Sequence, residues 1–192
     1  TLTGGKWGSG PTGFCLETDG TDDYADTTNA FQSTLRSSFG FSFWVRPNDG
    51  IPSSDEYILG SENATSEDYV VFYIDTSGGL RFYYKANDVA LICSESIVFS
   101  NGLNAWTHVV GTLNATFKHG YLYVNGVLVD DHLPSGLLAA NYTSSDEIFI
   151  GALDNNGTAE SFFDGGIADV RLYSWLITAP QALALYNDVW FK

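Results

Sequence analysis

Asp169 and Arg171 stand two residues apart in "IADVRLY", a stretch that alternates as a strand does. The parity predicts Asp169, Arg171 and Tyr173 on one face and Ala168, Val170 and Leu172 on the other. An exposed ion pair of this kind adds little stability. Acid–base chemistry needs two carboxylates, or a histidine and a carboxylate, converging on one point. The adjacent pairs Glu67-Asp68 and Asp146-Glu147 project to opposite faces if they lie on strands, so neither converges. His108, His119 and His132 are scattered without metal-ligand spacing. His108 alternates with Trp106 and Val110, which predicts a strand position and a structural or solvent-facing role. No nucleophile elbow, phosphate-binding loop or dinucleotide fingerprint is present, and the chain reads as non-enzymatic.

Two polar loops carry a different chemistry. "GALDNNGTAESFFDGG" offers Asp154, Asn155 and Asn156, followed by Phe162 and Phe163. "GSENATSEDY" offers Glu62, Asn63, Asp68 and Tyr69. Amides and carboxylates beside aromatic rings can hydrogen-bond a ligand's hydroxyls while the ring covers its apolar face, although ordinary loop chemistry has the same composition.

The 192 residues of the chain suit one domain, 1–192, with a lead-in at 1–12. Lys and Arg number 8 against 23 Asp and Glu, a net charge of -15. Such acidity repels phosphate backbones and anionic lipid, which argues against nucleic-acid partners and membrane insertion. No window of about 18 uninterrupted apolar residues occurs, and "TLTGGKWGSGPTG" lacks a signal-peptide pattern. Methionine is absent, as expected of a processed product or of a module excised from a longer chain. Cys15 and Cys93 lie in the apolar runs "GFCLE" and "ALICSE", which favours two buried thiols over one bridge. Sequons at Asn63, Asn114, Asn141 and Asn156 suggest surface loops.

The elements that must position these groups are short strands. "FGFSFWVRP", "DYVVFYID", "LRFYYKA", "ALICSE", "WTHVVGTL", "YLYVNGVLVDD", "EIFIGAL" and "IADVRLY" are rich in β-branched and aromatic residues and are separated by Gly, Asn, Asp and Ser. In the first, Phe39, Phe41, Phe43 and Val45 share one face and Ser42, Trp44 and Arg46 the other, the pattern of a half-buried strand. Asn125-Gly126 predicts a type I′ hairpin, and Gly78-Gly79 joins two further strands. Thr178, Pro180, Leu183 and Tyr186 predict one short C-terminal helix closing an end of the sandwich. The fold class expected is all-β: two packed antiparallel sheets with that helix.

In order, "LETDGTDDYAD", "FSFWVRP", "WTHVVGT" with "GYLYVNGVLV", and "FDGGIADVRLYSWLITAPQALALY" resemble the laminin G-like domains of the concanavalin A-like lectin and glucanase superfamily, over about residues 13 to 188. The resemblance implies a jelly-roll sandwich. It also implies a structural calcium, with Asp169 as the final-strand ligand, a carbonyl from Gly20 and help from Asp19. Calcium takes about six to eight oxygens, which carboxylates and loop carbonyls can supply. The other reading pairs Asp169 with Arg171. Glucan hydrolases that resemble this fold carry Glu-x-Asp-x-x-Glu on one strand, and no such run occurs here.

What the resemblance implies about function is carbohydrate recognition or adhesion, with a glycan or glycoprotein held by Asp154, Asn155, Asn156, Phe162, Asp68 and Tyr69. The expected setting is extracellular or surface-exposed. The alternative is a structural module contacting other subunits of a larger assembly, such as a viral fibre, a capsid decoration or a cell-surface protein, with Trp7, Trp190 and Phe191 either packing on the sandwich or docking a neighbour.

Overall fold

The structure, a computed structural model, describes residues 1–63, 65, 67–100, 105–136 and 139–188. Trp190 and Phe191 lie outside the described residues. The chain opens with β1 (Leu2–Thr3), β2 (Lys6–Gly10), β3 (Gly13–Asp19), β4 (Tyr24–Asp26) and a one-turn helix α1 (Gln32–Leu35). Next come β5 (Phe39–Pro47), β6 (Glu56–Asn63), β7 (Asp68–Ile74), β8 (Leu80–Ala86) and β9 (Val89–Glu95). The second half holds β10 (Thr107–Asn114), β11 (His119–Val124), β12 (Val127–His132), β13 (Phe149–Ile150), β14 (Leu153–Asn155), β15 (Thr158–Glu160), β16 (Asp164–Tyr173) and α2 (Ala179–Asn187).

These strands form two sheets. A nine-stranded sheet runs β1-β4-β13-β6-β7-β8-β9, with β14 and β15 added beside β6, and a seven-stranded sheet runs β12-β11-β10-β5-β16-β3-β2. The first twelve residues, expected as a lead-in, contribute β1 and β2, which pair with β4 and β3.

Alternation builds the core. Phe39, Phe41, Phe43 and Val45 point between the sheets, where they meet Val70, Phe72 and Ile74 of β7 and Leu80, Phe82 and Tyr84 of β8. The rings interlock: Phe72 stacks on Phe82 with centroids 4.6 Å apart, and Phe43 meets Phe72 edge-on at 5.1 Å. Truncating any one of these buried rings to alanine costs about 3–5 kcal/mol. Cys15 and Cys93 are both buried free thiols, the two-thiol reading. Burial pushes Cys93 up to about 12 and Cys15, helped by Glu17, up to about 11.

The turns follow their chemistry. Asn125 and Gly126 have φ of 50° and 78° and join β11 to β12, as the type I′ expectation requires. Asn156 and Gly157 repeat the device at φ 50° and 83°, making a hairpin of what the sequence presents as a polar loop. The "EIFIGAL" strand shrinks to β13, because Gly151, at φ 91°, turns the chain.

Three expectations are corrected. β5 is buried on both faces, because Ser42 and Trp44 lie beneath covering elements. The cover is α2, which packs on the outer face of the seven-stranded sheet and does not plug one end. Ile177, Ala182 and Leu185 meet Val110 and Tyr123, and Tyr186 lies 5.8 Å from the Trp44 ring. Thr178 and Pro180 start this helix as expected, and the Gln181 side chain accepts the Thr178 N–H. The predicted parity of "IADVRLY" is broken by a bulge between Ala168 and Arg171, with Asp169 at φ 52°. Ala168 therefore faces outward beside Cys15 and Trp44, while Ile167, Val170 and Leu172 face the core.

Candidate functional site

The cation ligands expected from the sequence do not assemble as a trio. β16 runs antiparallel to β3 with Asp164 opposite Asp19 and Ala168 opposite Cys15, so Asp169 lies beyond the far end of this pairing from Asp19. Its two carboxylate oxygens accept from Arg171, Oδ1 from Nε and Oδ2 from Nη2, each at 2.7 Å. The ion-pair reading of Asp169 thus describes the residue. Gly20, at φ +74°, backs onto Asp164, and a β-carbon there would meet the Asp164 Cβ at 3.0 Å.

The carboxylates that do converge are Asp19, Asp22 and Asp23, whose oxygens lie within 4.8 Å of one another. The turn "DGTDD" brings them together: Asp19 Oδ1 accepts the Thr21 N–H at 3.0 Å, and Asp23 Oδ2 accepts the Asp19 N–H at 3.2 Å. Three hard oxygen donors fit calcium in kind, and carbonyls or water would complete the roughly six to eight it takes.

The six residues expected to touch a ligand separate into two groups. Asp68 is fully buried and acts as a clamp: its Oδ1 accepts Asn87 N–H, and its Oδ2 accepts Thr143 N–H, Thr143 Oγ1–H and Ser144 N–H. Asp154 is also buried, with Oδ1 accepting the Gly157 N–H at 2.6 Å, and burial raises its pKa. Phe162 is half-buried, bridged through its backbone to Tyr57, with its ring 6.3 Å from Tyr24. Asn156 occupies the exposed hairpin turn. Asn155 and Tyr69 are brought together by β6: Asn155 lies opposite Glu62 in the parallel β14–β6 pairing, and Tyr69 opposite the same Glu62 in β7.

Around this meeting point the outer face of the nine-stranded sheet carries a patch of tyrosines. Register aligns Tyr57, Tyr73, Arg81 and Ser94 across β6 to β9 in one row. A second row holds Gly60, Val71, Tyr83 and Ile92, and a third Glu62, Tyr69, Lys85 and Ala90. Tyr57 and Tyr73 stack at 5.0 Å with a 20° interplanar angle, Tyr69 and Tyr83 lie 5.4 Å apart, and Lys85 Nζ sits 5.3 Å over the Tyr69 ring. At β spacings the tyrosines cover about 10 Å by 13 Å.

A bulge makes this patch possible. Between Tyr57 and Leu59 the β6 register shifts, so Ile58 and Leu59 are both buried while Tyr57 and Glu62 both face outward. Without the extra residue, Tyr57 and Glu62, five apart, would point to opposite faces. Gly60, at φ +149°, lies where a β-carbon would meet Val70 O at 2.3 Å.

Partial burial raises the hydroxyl pKa of Tyr57, Tyr69, Tyr73 and Tyr83, so all four remain neutral donors and acceptors at physiological pH. Glu62 adds to that shift at Tyr57, Tyr69 and Tyr83, and Asp55 and Glu160 add to it at Tyr57. The cations of the patch are matched: Arg81 donates from both Nε and Nη2 to Asp75, and Lys85 pairs with Glu67. Although burial opposes it, hydrogen bonds from Ser77, Arg81 and Gly79 hold the Asp75 carboxyl well below the usual carboxylate range. The signal for this patch was present in the sequence as Tyr69-x-Val71-x-Tyr73 and Arg81-x-Tyr83-x-Lys85 on two strands joined by Gly78-Gly79.

The opposite outer face is occupied. His108 lies buried beneath α2, within 3.0 Å of Ser42 Oγ through Nε2, and burial, reinforced by Arg171, lowers its pKa to about 4. It is a structural histidine with its ring 5.0 Å from Trp44. Among the described residues no helix is long and apolar enough to cross a membrane.

A family model described as the concanavalin A-like lectin/glucanases superfamily matches residues 19–182. No curated protein matches the chain in sequence. Among solved structures, the CBM40 module of the Ruminococcus gnavus IT-sialidase bound to α2,6-sialyllactose is similar, with a TM-score of 0.72 at 17% identity over 90% of this chain and 96% of that one. The NanB sialidase of Streptococcus pneumoniae is similar over 94% of this chain and 27% of that chain, with a TM-score of 0.72 at 16% identity. The leech intramolecular trans-sialidase gives 0.70 at 15% identity, over 88% of this chain and 26% of its own. At these identities the likeness is one of fold.

Proposed function

Because the chain belongs to the concanavalin A-like lectin/glucanase superfamily, we propose that it is a non-catalytic glycan-binding module whose ligand lies on the tyrosine face of the nine-stranded sheet. The observation that carries this reading is the register that sets Tyr57 opposite Tyr73 and Tyr69 diagonal to Tyr83 on one outward face. Half-buried phenol rings offer apolar surface to the C–H face of a sugar and neutral hydroxyls to its OH groups. Because the strands hold these rings in place, little ordering cost falls on binding. Asn155 and Glu62 at the patch edge supply further polar partners.

The similar CBM40 module, solved with sialyllactose, supports a glycan ligand in kind. An extracellular or surface setting, with a glycan or glycoprotein as partner, agrees with the acidic surface and with the exposed Asn141 and Asn156 sequons. Calcium belongs to this reading as a structural ion at Asp19, Asp22 and Asp23.

One observation favours the second reading, a protein-contact module. Trp7 and Phe14 are 68% and 81% exposed on the edge strand β2 and its neighbour β3, where another subunit of an assembly could cover them. A glycan screen, followed by calorimetric titration of the hits against Tyr57→Ala/Tyr73→Ala and Trp7→Ala/Phe14→Ala, separates the two. Glycan binding lost only in the tyrosine variant supports the module proposed. Self-association lost only in the Trp7/Phe14 variant, with no glycan bound, replaces it with the assembly role.

A further inference from the structure

We infer that the tyrosine face selects uncharged glycans and excludes sialylated or otherwise anionic ones, unlike the sialyllactose-bound module it resembles in fold. This inference rests on the glycan-binding reading above and specifies its ligand class. A sugar carboxylate is recognised most effectively by a guanidinium fork free to bond it in two places. The chain has four arginines, and none presents such a fork on the tyrosine face. Arg46 Nη2 bonds both carboxylate oxygens of Glu17, at 2.7 and 2.9 Å, and its guanidinium carbon lies 4.9 Å from the Trp106 ring centre. Arg171 is held by Asp169, and Arg36 Nε donates to the Tyr142 carbonyl at 2.7 Å.

Arg81 is the one arginine on the tyrosine face, and Asp75 takes its fork while itself bound by Ser77 and Gly79. Freeing Arg81 for a ligand would take from the partly exposed Asp75 carboxylate both hydrogen bonds that the guanidinium donates, which opposes the exchange. Lys85, the other cation of the face, bonds Glu67 and lies 3.8 Å from Asp88. The rim adds negative charge, since Asp55, Glu62 and Glu160 all act on the Tyr57 hydroxyl. An anionic sugar therefore meets paired cations and rim carboxylates that no cation among the described residues neutralises, within a Debye length, on a chain of net charge -15. A neutral sugar meets four protonated phenols and pays no such penalty.

The test is a glycan array printed with matched pairs, each oligosaccharide with and without terminal sialic acid, followed by calorimetry on the best pair. We expect the neutral member to bind at least about tenfold tighter at 50 mM salt, with the ratio narrowing as salt is raised to 500 mM, because charge repulsion is screened. Asp55→Asn/Glu160→Gln, which removes two rim charges while keeping side-chain size, is expected to raise the affinity of the sialylated member several-fold. Equal or tighter binding of the sialylated member to the original chain would overturn the inference and leave the glycan-binding reading standing. An unchanged ratio in the rim variant would likewise remove charge as the cause of selection. Binding of neither member, across the array, would bring down the glycan-binding reading and this inference with it.

Discussion

Asn155 and Glu62 lie opposite each other in the parallel pairing of β14 with β6. The chain reverses at Gly151 after β13 has run antiparallel to the same strand, so two loops distant in sequence reach one sheet face. That reversal turns two separate sets of polar residues into the edge of one aromatic patch, and it fixes which side chains a ligand can reach. Asn155 and Tyr69 are on the accessible side, while Asp154 and Asp68 are turned inward.

The rings and the hydroxyls of the patch can be told apart. Tyr73→Phe keeps the stacking partner of Tyr57 and removes one hydroxyl, whereas Tyr73→Ala removes both. Loss of an aromatic partner costs about 0.5–1.5 kcal/mol beyond buried area. We expect Tyr73→Ala to weaken glycan binding by about tenfold or more and Tyr73→Phe by a few-fold, measured by calorimetry. Equal losses would place the binding energy in the hydroxyl, and no loss in either would remove Tyr73 from the site.

Asp68 is expected to serve stability and not binding. Its buried carboxylate ties the end of β7 to Asn87 and to the Thr143–Ser144 turn through four hydrogen bonds. Asp68→Ala leaves three backbone N–H groups and one hydroxyl without this partner, and breaking a buried charged network costs about 3–5 kcal/mol. Chemical denaturation should show a loss of that size, with glycan affinity unchanged where the variant remains folded. A stable variant with lost binding would reverse the assignment.

The Asp19 loop and Asp169 give opposite expectations for calcium. In millimolar calcium against EDTA, the original chain is expected to gain about 1.4 kcal/mol of stability, the linkage expected for an ion at about ten times its Kd. Asp22→Ala/Asp23→Ala should abolish the gain, because it removes two of the three converging carboxylates. Asp169→Ala should keep it, since that carboxylate serves Arg171. Thermal unfolding distinguishes them: a gain lost in Asp169→Ala would return the ion to the final strand, and no gain in any chain would end the proposal of calcium.

Sequence pattern reveals the fold where alternation is unbroken. β5, β7 and β8 alternate strictly, and their inward Phe and Tyr residues are the core. β6 was hidden because its bulge breaks the period and because Gly60, Ser61, Glu62 and Asn63 have the composition of a turn. The bulge in β16 breaks the period in the same way, moving Ala168 to the outer face while Val170 and Leu172 face the core. The C-terminal helix was legible from Thr178 and Pro180, but its seat was not, because Ser42, Trp44 and His108 alternate as a solvent face would. Local chemistry specifies turns and caps, whereas the partner of an outer face is set by long-range packing.

Two groups should tilt stability against pH in opposite directions. His108 falls from 6.5 to about 4 because it is buried, so below 6.5 the unfolded chain binds a proton that the folded one refuses. Its contribution, about 3 kcal/mol, is fully present above pH 6.5 and is lost as pH falls through about 4. Glu56 rises from 4.5 to about 7, through burial first and then the nearby Asp164 and Asp49 charges, although its Oε2 accepts the Asp164 N–H. Its contribution, discounted to about 1 kcal/mol for partial exposure, is fully present below pH 4.5 and is lost as pH rises through about 7. Between pH 4.5 and 6.5 the two slopes oppose, so the folded chain should show a shallow dependence there. Denaturation in EDTA should then find Glu56→Gln rising in stability from pH 4 to 6.5 with no decline above, and His108→Leu declining from 4.5 to 7. Whatever fixed cost His108→Leu carries by losing Ser42, the slope reports titration alone. Parallel curves for all three chains would show that neither group's ionisation is linked to folding.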